Sequence, residues 1–377
     1  MALQPVSRFL ASRRGIILIG AVIGILAPLL QKFGNPANMG ICVACFERDI
    51  AGALGLHRAA VVQYIRPEIP GFILGSLAAA LYFKDFRART GSAPLVRFVL
   101  GFCAMIGALV FLGCPWRTLL RLAGGDLNAI LGLVGLTVGI AIGDQFLKHG
   151  YTLGRSRSTY AGAGLIMPAL ALSLLLLLFF APQFSAGGPI FFSAKGPGSM
   201  HAPIALSLAV GLIVGLIAQR TRFCTMGSIR DVLLVGDLHL MSGIIALTVA
   251  AFVTNLVLGQ VHVGFSAQPV AHSNHIWNVL GMVLAGLAFV LAGGCPGRQL
   301  ILSGEGDGDA AVFVLGMIAG AAFAHNFALA AGPDTLADGV LTVGGPGIWG
   351  MWAVGIGIVV CLLIGWTMRE KLEGVKS

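Results

Sequence analysis

Ten stretches of this sequence are apolar, almost free of charge, and about as long as a helix must be to cross a lipid bilayer. They run over 15–33, 66–83, 95–113, 128–147, 162–182, 203–219, 240–259, 276–294, 310–330 and 347–367. Roughly 20 helical residues traverse the ~30 Å hydrocarbon layer. Within lipid only helices and closed barrels satisfy their own backbone hydrogen bonds, and runs of this length and uniformity favour helix. Composition agrees: 10% of residues are charged, against about 25% in soluble domains, too few to coat a globule of this size. A cytosolic enzyme, a disordered chain and a disulfide-stapled secreted domain are excluded. The expected class is an all-α polytopic membrane protein of about ten transmembrane helices, its partner the lipid bilayer.

The formal net charge of +9 does not argue for nucleic acid, because no basic stripe with interleaved aromatics exists. The cations cluster between apolar runs, where they orient helices. Arg8, Arg13 and Arg14 assign a cytoplasmic N-terminus (1–14) at the inner membrane, with 15–33 as an uncleaved first span. The inside loops then carry Lys84, Arg87 and Arg89; Lys148, Arg155 and Arg157; Arg220, Arg222 and Arg230; and, in a cytoplasmic tail (368–377), Arg369, Lys371 and Lys376. The outside loops 260–275 and 331–346 contain no Lys or Arg. The exception is 34–65, which is expected outside yet holds Arg48 and Arg58.

The chain also repeats itself. Gly113-Cys114-Pro115-Trp116-Arg117 is echoed by Gly294-Cys295-Pro296-Gly297-Arg298, and the echo continues through Leu119/Leu300, Asp126/Asp307, Ala129/Ala310, Gly135/Gly316 and Gly139/Gly320. Upstream, Cys42 and Arg48-Asp49 align with Cys224 and Arg230-Asp231. Two motifs in one order at nearly one offset indicate duplication. The repeats are 15–182 and 203–367, joined by a linker (183–202). Each holds five spans, and an odd number inverts the second copy, the architecture of many transporters. The stretches 41–56 and 223–236 are apolar but too short to span, which suits re-entrant segments. A re-entrant 41–56 also accounts for Arg48.

Seven cysteines, Cys42, Cys45, Cys103, Cys114, Cys224, Cys295 and Cys361, cannot all pair as disulfides. Cys42-x-x-Cys45 has a redox or metal spacing, but its echo, Cys224-Thr-Met-Gly227, keeps one cysteine and no His/Cys set completes a metal site. Neither a metal nor a cofactor is expected. Cys103 and Cys361 lie inside spans without an echo and are read as packing residues. In the duplicated Gly-Cys-Pro-x-Arg, proline suits the first turn of a helix. Gly113-Cys114 and Gly294-Cys295 then precede helix ends whose free amides face a ligand, with Pro115 and Pro296 inside them. Arg117, Arg298 and Arg230 add fixed cations. An anion reaching these breaks meets thiols under positive potential, which suits a soft sulfur- or selenium-bearing anion.

Among other polar groups, Asp144, Gln145, His325 and Asn326 lie in spans and are read as helix–helix hydrogen-bonding or gating groups. His262, His272 and His275 are read as solvated loop residues. The Gly344–Gly350 run opens the last span, with Trp349 and Trp352 at the interface. It lacks the Lys-Ser/Thr ending of a phosphate loop.

In these motifs the chain resembles the YeeE/YedE family of sulfur-transport membrane proteins. The likeness rests on both Gly-Cys-Pro-x-Arg copies, on Arg220-Thr-Arg-Phe-Cys224 with Met226-Gly227 and Arg230-Asp231, and on Ala292-Gly293-Gly294-Cys295. With Gly345-Pro346-Gly347-Ile348-Trp349-Gly350 it is most similar to the selenium-metabolism YedE branch. Cys42-Val-Ala-Cys45 departs from the simpler first-half pattern of thiosulfate carriers. The resemblance implies thiosulfate-type uptake through an hourglass-shaped protein whose central cysteines handle the ion by S–H contacts. It also implies a TusA-like sulfur carrier as cytoplasmic partner. The expected site is Cys42, Cys114, Cys224 and Cys295, with Cys45 and the three arginines, in a permease rather than an enzyme. The alternative is a membrane thiol redox or sulfur-transfer enzyme built on Cys42-x-x-Cys45.

Overall fold

A computed structural model describes residues 8–180 and 190–370. Residues 1–7 of the N-terminal segment, 181–182 of the fifth span, 183–189 of the linker, and 371–377 of the tail with Lys371 and Lys376 lie outside the described residues.

The first half comprises α1 (Arg13–Lys32), α2 (Val43–Ala53), α3 (Glu68–Tyr82), α4 (Pro94–Phe111), α5 (Pro115–Ala123), α6 (Asn128–Lys148) and α7 (Ile166–Phe180). The second comprises α8 (Ile204–Thr221), α9 (Thr225–Val235), α10 (His239–Val257), α11 (His275–Ala292), α12 (Pro296–Gly304), α13 (Gly308–Asn326) and α14 (Ile348–Thr367). Two small antiparallel pairs, β1 (Arg89–Thr90) with β2 (Arg157–Ser158) and β3 (Thr335–Ala337) with β4 (Val340–Thr342), decorate the loops.

Eight of these helices, α1, α4, α6, α8, α10, α11, α13 and α14, are long and apolar enough to cross a membrane. The chain is an all-α, multi-pass membrane protein. The spans expected at 66–83 and 162–182 appear as α3 and α7, each 15 residues among those described. Helix α3 extends about 22 Å, short of the full hydrocarbon thickness. At α3 the reason is local: Arg66 is drawn into a buried ion pair with Asp49 at 2.8 Å, and helix begins only after Pro67.

The two halves interlock. Helix α1 packs along α10 and α3 along α8, while α6 packs along α11 and α4 along α13. Helices α4 and α11 meet each other in the middle, and both are buried along most of their length. Glycine permits these approaches: a methyl built on Gly20 would lie 2.0 Å from the Gly243 carbonyl oxygen, and one on Gly135 2.2 Å from that of Val279. Helix association in lipid depends on such backbone proximity, which gives Gly20 and Gly135 a packing role.

The apolar segments 41–56 and 223–236 form the short helices α2 and α9, and a second short helix follows each Gly-Cys-Pro. Arg48 is buried and bonds Asp49 at 2.7 Å. The loop histidines divide. His262 is exposed, and the His275 ring packs edge-on to Phe265. His272, expected in solvent, is fully buried and donates from Nε2 to the Val110 carbonyl at 2.7 Å. Burial lowers its pKa. The loop expected in water is folded down onto α4 instead.

Candidate functional site: four cysteine-capped helix ends

Each of the four echoed cysteines is the N-cap of a short helix. Cys42 caps α2, and its sulfur accepts from the Cys45 amide at 3.4 Å; Cys224 caps α9 and accepts from Gly227 at 3.3 Å. A thiol here takes the role usually held by Ser or Asp. Cys114 caps α5 and Cys295 caps α12, each followed by proline in the first turn. The glycines before them make room for arginine: a methyl on Gly113 would lie 3.2 Å from Cδ of Arg117, and one on Gly294 3.4 Å from Cγ of Arg298.

The caps meet in pairs within each half. The Cys42 and Cys114 sulfurs are 3.8 Å apart, and the Cys295 amide donates to the Cys224 sulfur at 3.4 Å. Two positive helix ends therefore converge on each thiol pair. All four cysteines are buried, Cys224 being the most open at 6% exposure. Cys45 is also fully buried, its sulfur 3.9 Å from Nη1 of Arg117.

The three arginines expected to supply positive potential differ. Arg230 pairs with Asp231 at 2.7 Å and Arg298 with Glu305 at 3.2 Å, so each is partly neutralised by its own neighbour. Arg117 is fully buried and bonds only carbonyls and sulfur: Asn38 at 3.2 Å, Leu112, Pro269 at 3.2 Å, Val270 at 3.1 Å, and Cys45. No carboxylate pairs with it among the described residues. Its charge, beside Cys45 of the first thiol cluster, is thus not cancelled by an acid among the described residues.

One side of the site is open and the other closed. A cavity of about 770 Å³ reaches Cys224 and is walled by Arg87, Arg89, Arg222, Arg230 and Arg298, with Asp231 and Glu305 among them. On the opposite side the echo of Arg230-Asp231, Arg48-Asp49, has the same internal geometry but is sealed in protein, with side-chain exposures of 3% and 0% against 33% and 22%.

The variable position of the duplicated motif carries a contact that motif matching passed over. A methyl built on Gly297 would lie 2.6 Å from Cζ2 of Trp116. Trp116 fills the space left by its own counterpart, wedged between Phe72 and Phe223. The two copies meet here, and only one can carry a bulky residue. The Trp/Gly complementarity was the available signal. Glu47 was also missed; it is fully buried, with neither carboxylate oxygen bonded among the described residues. Of the remaining polar groups, His325 packs against His57 with ring centroids 4.6 Å apart and planes tilted by 33°, and Asn326 donates to the Leu56 carbonyl at 2.8 Å. Asp144 is buried without a hydrogen-bond partner among the described residues.

Residues 220–374, which include Cys224, the second Gly-Cys-Pro-x-Arg and α14, match the family described as Sulphur transport. The second half of the chain is thus similar to the sulphur-transport family. Among curated relatives, the thiosulfate transporter TsuA of Spirochaeta thermophila is 33% identical over 99 residues, covering 26% of this chain and 29% of that protein. The thiosulfate transporter TsuA of Escherichia coli is 31% identical over 108 residues, covering 28% and 30%. These alignments span less than a third of either relative's length.

Proposed function

We propose that the chain is a permease that takes up thiosulfate, or a related soft sulfur or selenium anion, through a constriction lined by Cys42, Cys114, Cys224 and Cys295. The observation that carries this reading is the convergence of two cysteine-capped helix ends in each half, with 3.8 Å between the Cys42 and Cys114 sulfurs. Thiols are polarisable, weak S–H donors, and the converging helix ends favour negative charge. Such a surface suits the terminal sulfur of thiosulfate better than the hard oxygens of sulfate.

On this reading the halves 15–182 and 203–367 are inverted copies in the inner membrane, with both termini cytoplasmic. The recurrence of each helix pairing seven elements later supports the duplication, since α1 with α10 answers α8 with α3. The arginine-rich cavity beside Cys224 is then the cytoplasmic vestibule, by the positive-inside bias. A TusA-like carrier would collect the sulfur there. The relatives, named as transporters, lend nothing to the thiol-enzyme alternative.

Radiolabelled thiosulfate uptake into membrane vesicles tests the proposal. Cys114→Ala and Cys295→Ala are expected to abolish uptake at normal membrane abundance; wild-type uptake in both would overturn the cysteine route. Excess unlabelled thiosulfate should compete and sulfate should not. Labelled selenium oxyanions assayed side by side decide between sulfur and selenium.

A further inference from the structure

The closed side of the site has a construction that the open side lacks. The segment joining α10 to α11, Leu258–Asn274, is longer than its counterpart joining α3 to α4, Phe83–Ala93. Both of its flanks are tied down. On one side His262 and Gly264 donate through their amides to Gly124 and Gly125 at 2.8 and 3.1 Å, and Asn128 donates to the Phe265 carbonyl at 2.6 Å. On the other, His272 holds the Val110 carbonyl, and the Asp334 amide donates to Ala271 at 2.8 Å.

Between these flanks lies Ser266–Val270, held from beneath by Nη2 of Arg117 through the Pro269 and Val270 carbonyls. Two of its residues have left-handed backbones, Ala267 at φ 53° and Val270 at φ 49°. A β-branched residue there is strained, and the segment is kept down by Arg117 together with the buried Gln268, whose Nε2 donates to the His262 carbonyl at 3.0 Å. Carbonyls are weaker partners for a guanidinium than an oxyanion is, and Arg117 has no carboxylate partner among the described residues. Its counterpart Arg298 instead pairs with Glu305, faces the open cavity, and makes no hydrogen bond to Phe83–Ala93 among the described residues.

The geometry points to Ser266–Val270 as a strained gate over the first thiol cluster, latched by Arg117 and released when a substrate oxyanion takes over the guanidinium. The same side chain that reaches Cys45 at 3.9 Å also holds the gate, so arrival of the anion and opening of the mouth become one event. This rests on the anion-permease reading for its trigger, but the latch can be tested without any ligand.

Amide hydrogen exchange of the full chain in lipid nanodiscs makes the test. With sodium thiosulfate, against sodium gluconate at matched ionic strength, the Ala271 amide, which donates to the Gln268 carbonyl of the gate at 3.3 Å, should exchange about ten-fold faster in the wild type, with the His262 and Gly264 amides unchanged. Arg117→Gln should show the faster exchange with no thiosulfate present. Val270→Gly, which leaves every Arg117 donor in place and removes the strain, should slow the loop. Protection in Arg117→Gln equal to wild type would overturn the latch. If that variant does not reach the membrane, unchanged or faster exchange in Val270→Gly overturns it. An unresponsive wild-type loop at thiosulfate concentrations that saturate uptake removes the trigger, whereas absence of wild-type uptake refutes the permease reading and leaves the ligand-free arms standing.

Discussion

Replacing Gly297 by valine is expected to leave little folded protein in the membrane, and replacing Trp116 by leucine in the same chain is expected to restore it. A single carbon on Gly297 already falls 2.6 Å from the Trp116 ring, and valine adds two more. The indole cannot swing aside, being 2% exposed and flanked by Phe72 and Phe223. Overpacking a tight core costs about 1–3 kcal/mol where neighbours can give, and here the cost should reach the upper end or exceed it. Trp116→Leu alone should be mildly destabilising through the space it opens. The two changes should therefore be strongly non-additive, by about 0.5–3 kcal/mol in a double-mutant cycle. Thermal unfolding of the four proteins in detergent measures it, and simple additivity would mean that the two motif copies do not touch at this position.

Asp49→Asn should be the most damaging of the charge substitutions. Asp49 takes Arg48 on Oδ1 at 2.7 Å and Arg66 on Oδ2 at 2.8 Å, with the carboxylate and Arg66 side chains fully buried. The second guanidinium also fastens the first half to the linker, donating to the Pro197 and Met200 carbonyls at 2.7 and 2.8 Å. Removing the acid leaves two buried cations uncompensated, a loss of about 3–5 kcal/mol by analogy with broken buried ion pairs. The echo offers an internal control. Asp231→Asn breaks the same bond at 2.7 Å, but with side-chain exposures of 33% and 22%, where solvent-screened pairs are worth about 1 kcal/mol or less. Equal melting temperatures for the two variants would show that the difference in burial has no energetic weight.

Much of the architecture could be read from the chain. Eight long helices fall on expected spans, and the short helices after Cys42, Cys114, Cys224 and Cys295 fall where the apolar runs were too brief to cross or where Gly-Cys-Pro set a helix start. These signals are local: hydrophobic length, proline at a first turn, and a repeated motif. The pairing of cysteines was not local. Nothing in the spacing of Cys42 and Cys45 says that the sulfur nearest Cys42 across the fold is Cys114, or that Cys45 reaches Arg117 instead. The neutralisation of Arg230 and Arg298 was half visible, since Asp231 adjoins Arg230 in sequence, whereas Glu305 lies seven residues from Arg298.

The sequence by itself determined that this chain is built for a bilayer, that Gly-Cys-Pro-x-Arg occurs in it twice, and that thiols stand at each of those helix breaks. Hydrophobic periodicity and repetition are properties of the chain alone, so they survive without coordinates. Only the tertiary structure decided which copy is shut. The Arg-Asp step ends up sealed in one place and open to a cavity in the other, because Arg66, tied to the Pro197 and Met200 carbonyls, closes over Asp49 while Asp231 lines the cavity. Burial, and with it the strength of every charge, depends on what packs above a residue rather than on what precedes it in the chain.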